Sequence, residues 1–106
     1  MPIDVIAILS PKPGKADRVE ELLKDVSVSV KANEPGTLKY QINRETKGDA
    51  PSIVMIETYK DQAALQAHGS SDYFKKMGLV FQKEDLLAGP MKLLFTKETG
   101  GFVSKI

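Results

Sequence analysis

The chain has 106 residues and no cysteine, a length that one hydrophobic core accounts for and a composition that excludes disulfides, thiolate catalysis and cysteine-type zinc sites. Fifteen Lys and Arg against fourteen Asp and Glu leave a formal charge of +1, with the two signs interspersed, which argues against a nucleic-acid partner. No apolar run approaches the roughly 18 residues of a membrane span, and residues 1–10 lack the pattern of a signal peptide, so a soluble cytoplasmic protein with no membrane partner is expected.

The stretch Ile3–Leu9 is β-branched and apolar on both parities, with Val5, Ala7 and Leu9 on one face and Ile6 and Ile8 on the other, which reads as a strand buried on both sides. Ser10, Pro11 and Pro13 stop it, and a helix is expected to open near Pro13 or Gly14. Over residues 15–31 the apolar positions Ala16, Val19, Leu23, Val26 and Val30 recur at three- and four-residue steps, the stripe of an amphipathic helix. The run from Val26 to Val30 also alternates as a strand would, but its two ends continue the helical stripe, so helix is preferred. Asn33, Glu34, Pro35 and Gly36 end it.

Residues 37–45 alternate, with Leu38, Tyr40 and Ile42 on one face against Lys39, Gln41 and Asn43, as in an edge strand. A turn around Gly48 leads to a third strand over residues 52–60, which places Met55, Glu57 and Tyr59 on one face and Val54, Ile56 and Thr58 on the other. Asp61 is a good N-cap for a helix running to His68; Gly69 to Asp72 interrupt it, and Ser71 or Asp72 can cap a second piece carrying Tyr73, Phe74, Met77, Val80 and Phe81. Residues 91–96 form the fourth strand and residues 98–106 a tail. Its last three residues, Ser104, Lys105 and Ile106, stand one conservative change from a Ser-Lys-Leu peroxisomal address, which keeps that destination open beside the cytoplasm.

The order β-α-β-β-α-β predicts an α+β domain spanning residues 1–106: a ferredoxin-like split βαβ with a four-stranded antiparallel sheet and its helices on one face. Ile6, Ile8, Val54, Ile56 and Leu94 would then lie on the uncovered face, and exposing them would forgo several kcal/mol at about 25 cal/mol per Å². The same face of a second copy is the economical cover, so a homodimer is expected.

Met55, Glu57 and Tyr59 share one strand face beneath the helix that begins at Asp61, and a pocket between sheet and helix would see them. His68 is the one side chain that titrates near neutrality without a large perturbation, a natural general acid or base. Ordinary structural roles compete: Glu57 paired with a cation or a backbone end, Tyr59 a core aromatic with its hydroxyl at the rim, His68 a helix cap or core filler. One histidine with scattered carboxylates does not suggest a metal set, and no glycine-rich fingerprint suggests a nucleotide or flavin; no cofactor is expected.

Taken in order, Pro13-Gly14-Lys15, Glu34-Pro35-Gly36 before Tyr40, the run Ile53 to Glu57 followed by Tyr59, Ala67-His68, Phe74 and Gly89-Pro90 resemble the antibiotic biosynthesis monooxygenase family across nearly the whole chain, and most nearly its quinol monooxygenase branch. The resemblance implies a dimeric α+β barrel that oxidises a phenolic or quinol-like metabolite with O₂ and no cofactor. Under it Tyr59 stacks on or bonds to the ring, Glu57 and His68 manage its protons, and Met55, Phe74 and Met77 shape the wall, with Tyr40 and Tyr73 as further substrate contacts. Tyr59 replaces the family's usual Trp, Met55 the pocket Asn of the polyketide-oxidising branch, and Met77-Gly78 stand where the haem-degrading branch carries its histidine. Two other readings remain: an isomerase or lyase on a small hydroxy-carbonyl compound, and a non-catalytic ligand-binding or stress-response dimer.

Overall fold

A computed structural model describes residues 1–105. Ile106, on which the peroxisomal reading of the last three residues depends, lies outside the described residues. The elements are β1 (Ile3–Leu9), α1 (Ala16–Asn33), β2 (Thr37–Arg44), β3 (Ile53–Tyr59), α2 (Gln62–Gly69), α3 (Asp72–Lys83) and β4 (Lys92–Thr96). All pairings are antiparallel and the strand order is β2-β3-β1-β4, which is the split βαβ, ferredoxin-like arrangement with its second helical segment broken in two.

The helical stripe of α1 is buried residue for residue: Ala16, Val19, Leu23, Val26 and Val30. The last four join Ala7, Leu9, Ile53, Met55, Met77, Phe81 and Leu86 in one core between sheet and helices. Val28 is 72% exposed, which settles the ambiguous alternation from Val26 to Val30 as helix. The helix starts later than Pro13 or Gly14, because Gly14 takes a left-handed φ of 79° in a turn closed by the Lys15 amide on the Lys12 carbonyl (3.0 Å).

Leu38 is the second correction. It is the extra residue of a β-bulge, with Thr37 opposite Tyr59 and Lys39 opposite Thr58, and it stands 58% exposed instead of sharing the face of Tyr40 and Ile42. The bulge restores Tyr40 to a position opposite Glu57.

The second sheet face carries Ile6, Ile8, Val54, Ile56 and Leu94 at its centre, half-buried or exposed, with Lys39, Gln41, Asn43, Lys92 and Thr96 towards the edges. Among the described residues no helix is long and apolar enough to cross a membrane.

Gly36 joins the sheet to α2. Its carbonyl accepts the Lys60 amide at 2.7 Å, and a Cβ built on it would sit 2.6 Å from Ala64 Cβ in the first turn of α2. Gly36→Ala is therefore expected to cost about 1–3 kcal/mol by overpacking, read as a lower midpoint in denaturant with an unchanged slope.

Candidate functional site

A cavity of about 210 Å³ lies between the helix-side face of the sheet and the helices. Alternation on β3 turns Met55, Glu57 and Tyr59 into it, β2 adds Tyr40, α2 adds Leu65 and His68, and α3 adds Phe74 and Met77. Seven of the eight candidates read from the sequence thus line one space, and Met55, Tyr59 and Phe74 leave it open instead of filling it. Tyr73 stands apart: its ring faces a shallow depression between α1 and α3, and only its hydroxyl turns back towards the site. On the β4 side Leu93 and Phe95 complete the lining, and Phe95 is 62% exposed, so this flank is where the cavity meets solvent.

The polar groups fall into two clusters at one end of an otherwise apolar wall. In the first, the Tyr59 hydroxyl donates to Glu57 Oε1 at 2.5 Å. Glu57 is partnered by a tyrosine rather than by a cation or a backbone end, and Tyr59 is fully buried instead of placing its hydroxyl at a rim. Burial pushes the Glu57 carboxyl above the usual carboxylate range, an effect that the Tyr59 hydrogen bond and the nearby His68 oppose and the Glu34 charge reinforces. Burial, together with the hydrogen bond to Glu57, also raises the Tyr59 phenol, and burial with the Glu57 and Glu34 charges raises that of Tyr40. Both tyrosines remain protonated donors at neutral pH.

Because the folded protein holds the Glu57 proton more tightly than the unfolded chain does, its contribution to stability is complete below the ordinary carboxylate pKa and is lost as pH rises through the raised folded value. Glu57→Gln, which can still accept from Tyr59, is expected to melt higher than the parent at neutral pH. The gap should close as pH falls below about 4, where the parent carboxyl is protonated in both states.

The second cluster surrounds His68, which is 4% exposed in the last turn of α2. Its Nδ1 lies 3.1 and 3.2 Å from the two carboxylate oxygens of Glu34. Thr37 Oγ1 donates to Glu34 Oε1 at 2.7 Å, and the Tyr73 hydroxyl donates to Oε2. The rings of Phe74, Tyr40 and Tyr59 surround the imidazole at centroid distances of 4.9, 5.2 and 5.5 Å. Glu34 and Thr37 escaped the sequence reading as site residues; Glu34 served there to end a helix and as part of a family mark. The available signal was a charged residue placed next to Pro35-Gly36, where the chain turns back under α2 and a carboxylate is carried inward.

This arrangement can accept a proton at His68 or Glu57, donate a hydrogen bond from Tyr40, and hold an apolar ring among Met55, Phe74 and Met77. Neither Lys nor Arg lines the cavity, so it offers no counter-charge to an anionic ligand. Among the described residues no group of three or more His, Asp or Glu side chains is placed to hold a metal ion.

Residues 2–78 match the model of the antibiotic biosynthesis monooxygenase family. YcnE of Bacillus subtilis, which carries a monooxygenase name, is 29% identical over 85 residues, covering 78% of this chain and 86% of its own. A Caulobacter crescentus structure that carries an antibiotic biosynthesis monooxygenase name superposes with a TM-score of 0.82 at 33% identity, covering 93% of this chain and 91% of the other. PA3566 from Pseudomonas aeruginosa superposes with a TM-score of 0.77 at 26% identity, covering 93% and 95%.

Proposed function

We propose, since this chain belongs to the antibiotic biosynthesis monooxygenase family, that it is a monooxygenase which oxidises a small phenolic or quinol-like ring with O₂ and without a metal or organic cofactor. The observation that carries this reading is the pairing of a buried, carboxylate-bonded histidine with an apolar cavity of about 210 Å³ large enough for one or two fused rings.

In this mechanism the ring is held by Met55, Phe74, Met77 and the face of Tyr59, with its hydroxyl towards His68. His68 takes the phenolic proton, and Glu57 is a second proton acceptor and donor for the intermediates. The electron-rich phenolate gives one electron to O₂, and the radical pair combines to a peroxide at a ring carbon. Loss of water then leaves a carbonyl. A phenol with a free para position plus O₂ thus gives a quinone plus water: one oxygen atom enters the ring and the other leaves as water, with all four electrons supplied by the substrate. The dry wall protects the phenolate from reprotonation by solvent.

The working unit is taken to be a two-fold dimer, a dimeric α+β barrel, formed through the sheet face opposite the helices; the apolar centre and polar edges of that face support this. Oxygen uptake with a panel of naphthols and hydroquinones tests the reaction. Turnover that falls in Tyr59→Phe supports the reading, and no uptake with any ring substrate removes it. The Glu57 and His68 pair would equally serve enolisation of a hydroxy-carbonyl compound in an isomerase or lyase, which product formation under strict anaerobiosis would favour.

A further inference from the structure

Glu34 sits outside the cavity lining, and nothing in the reaction above requires it to touch a substrate. Yet this residue is 8% exposed, its carboxylate receives donors from Tyr73 of α3 and Thr37 at the start of β2, and both its oxygens lie within hydrogen-bond distance of His68 Nδ1 from α2. We infer that Glu34 is the positioning residue of the site, whose carboxylate accepts from the Nδ1–H of His68 and so holds the neutral imidazole in one tautomer, with Nε2 as a bare acceptor turned to the cavity.

The geometry supports each part. Thr37 donates to one Glu34 oxygen and Tyr73 to the other, the pattern of a carboxylate that only accepts, so the proton shared with His68 is assigned to Nδ1. Burial, with the hydrogen bond to Glu34, pushes the Tyr73 phenol up to about 12, which keeps Tyr73 a donor throughout the neutral range. No hydrogen bond to Nε2 occurs among the described residues, and no fully buried side-chain nitrogen or oxygen among them lacks a partner, so Nε2 is not sealed in protein. His68 borders the cavity, and that is the space open to it. The other groups facing the ring are Tyr40, Tyr59 and Phe74, with Glu57 bonded to Tyr59; the hydrogen bonds at Nδ1 run to Glu34. Ser71 Oγ donates to the His68 carbonyl at 2.7 Å, fixing the backbone from which the ring projects. A histidine left free to exchange tautomers would present an N–H to the substrate hydroxyl for part of the time, and in that state it cannot accept its proton.

The inference rests on the proposed reaction for its catalytic consequence but not for its structural content, and the two are separable because His68 is the chain's sole histidine. Long-range proton–nitrogen correlation spectra of the full chain labelled with ¹⁵N-histidine, followed upward in pH until the ring nitrogen shifts stop changing, read the tautomer of the neutral imidazole with no substrate present. The expected spectrum shows a protonated Nδ1 and an unprotonated Nε2. An Nε2–H tautomer in the parent overturns the inference, and that result needs no variant to fold. In folded Glu34→Met, which keeps the side-chain length and removes the acceptor, the single Nδ1–H tautomer should be lost; its persistence would also overturn the inference. With a ring substrate that turns over, Glu34→Met should lower kcat at least tenfold with little change in KM. An unchanged kcat in a variant whose tautomer has shifted would remove the positioning role, whereas a parent that oxidises no ring while showing the expected tautomer refutes the proposed reaction alone.

Discussion

His68→Ala is expected to lose about 10²–10⁴-fold in kcat, the usual contribution of a general base placed against the reacting proton. Its effect on KM should be small, because in the proposed mechanism the ring is held by Met55, Phe74, Met77 and the face of Tyr59 and not by the imidazole. The substitution also leaves Glu34 with one donor fewer, and a stability loss of about 1–3 kcal/mol is expected; Thr37 and Tyr73 remain to satisfy the carboxylate, which limits the damage. His68→Gln keeps a donor near Glu34 but supplies no titrating nitrogen, so it should recover much of the stability and none of the rate. Steady-state kinetics and denaturant titration of both variants separate the two effects. A His68→Gln enzyme at parental kcat would show that proton removal occurs elsewhere, with Glu57 the next group to test.

Placing a charge at the centre of the outer sheet face should abolish the proposed dimer. Ile56 is 36% exposed there, opposite Ile6 on β1 and Gln41 on β2. In a two-fold interface the same substitution occurs on both copies. Burying an unpaired ammonium costs several kcal/mol, and two of them bring the loss above ~4 kcal/mol, a weakening of more than about 10³-fold in Kd. Ile56→Lys should therefore sediment as a monomer at micromolar concentration while the parent sediments as a dimer. Val28→Lys, at a 72% exposed position on the outer side of α1, should leave the dimer intact. A monomeric parent, or a dimer that survives Ile56→Lys, would place the interface elsewhere or remove it.

The fold was legible wherever one period dominated. The stripe from Ala16 to Val30 and the alternation through Met55, Glu57 and Tyr59 each report a face, and the structure buries the faces so predicted. The capping of α2 by Asp61 was equally local, and its carboxylate accepts the Ala64 amide at 2.9 Å. What escaped depends on register or distance. The bulge at Leu38 arises from how β2 meets β3 and leaves no mark in the alternation of β2 itself. The delayed start of α1 follows from the left-handed Gly14, which a proline-rich opening conceals. For the site, the strand face and the lone histidine could be found from spacing and scarcity. The bond between His68 and Glu34 could not, because it spans 34 residues and exists only once α2 has docked over the end of α1. Tyr73, which the resemblance offered as a further substrate contact, shares a helix with Phe74 and Met77 but lies on another side of it, and its hydroxyl donates to Glu34.

The fate of molecular oxygen tests the central claim most directly. Turnover of a naphthol with a free para position under oxygen-18-labelled O₂, followed by mass spectrometry of the quinone, should show one labelled oxygen per product ring and one molecule of O₂ consumed per turnover. A quinone oxygen drawn from solvent water, or product formed in the absence of O₂, would contradict the account.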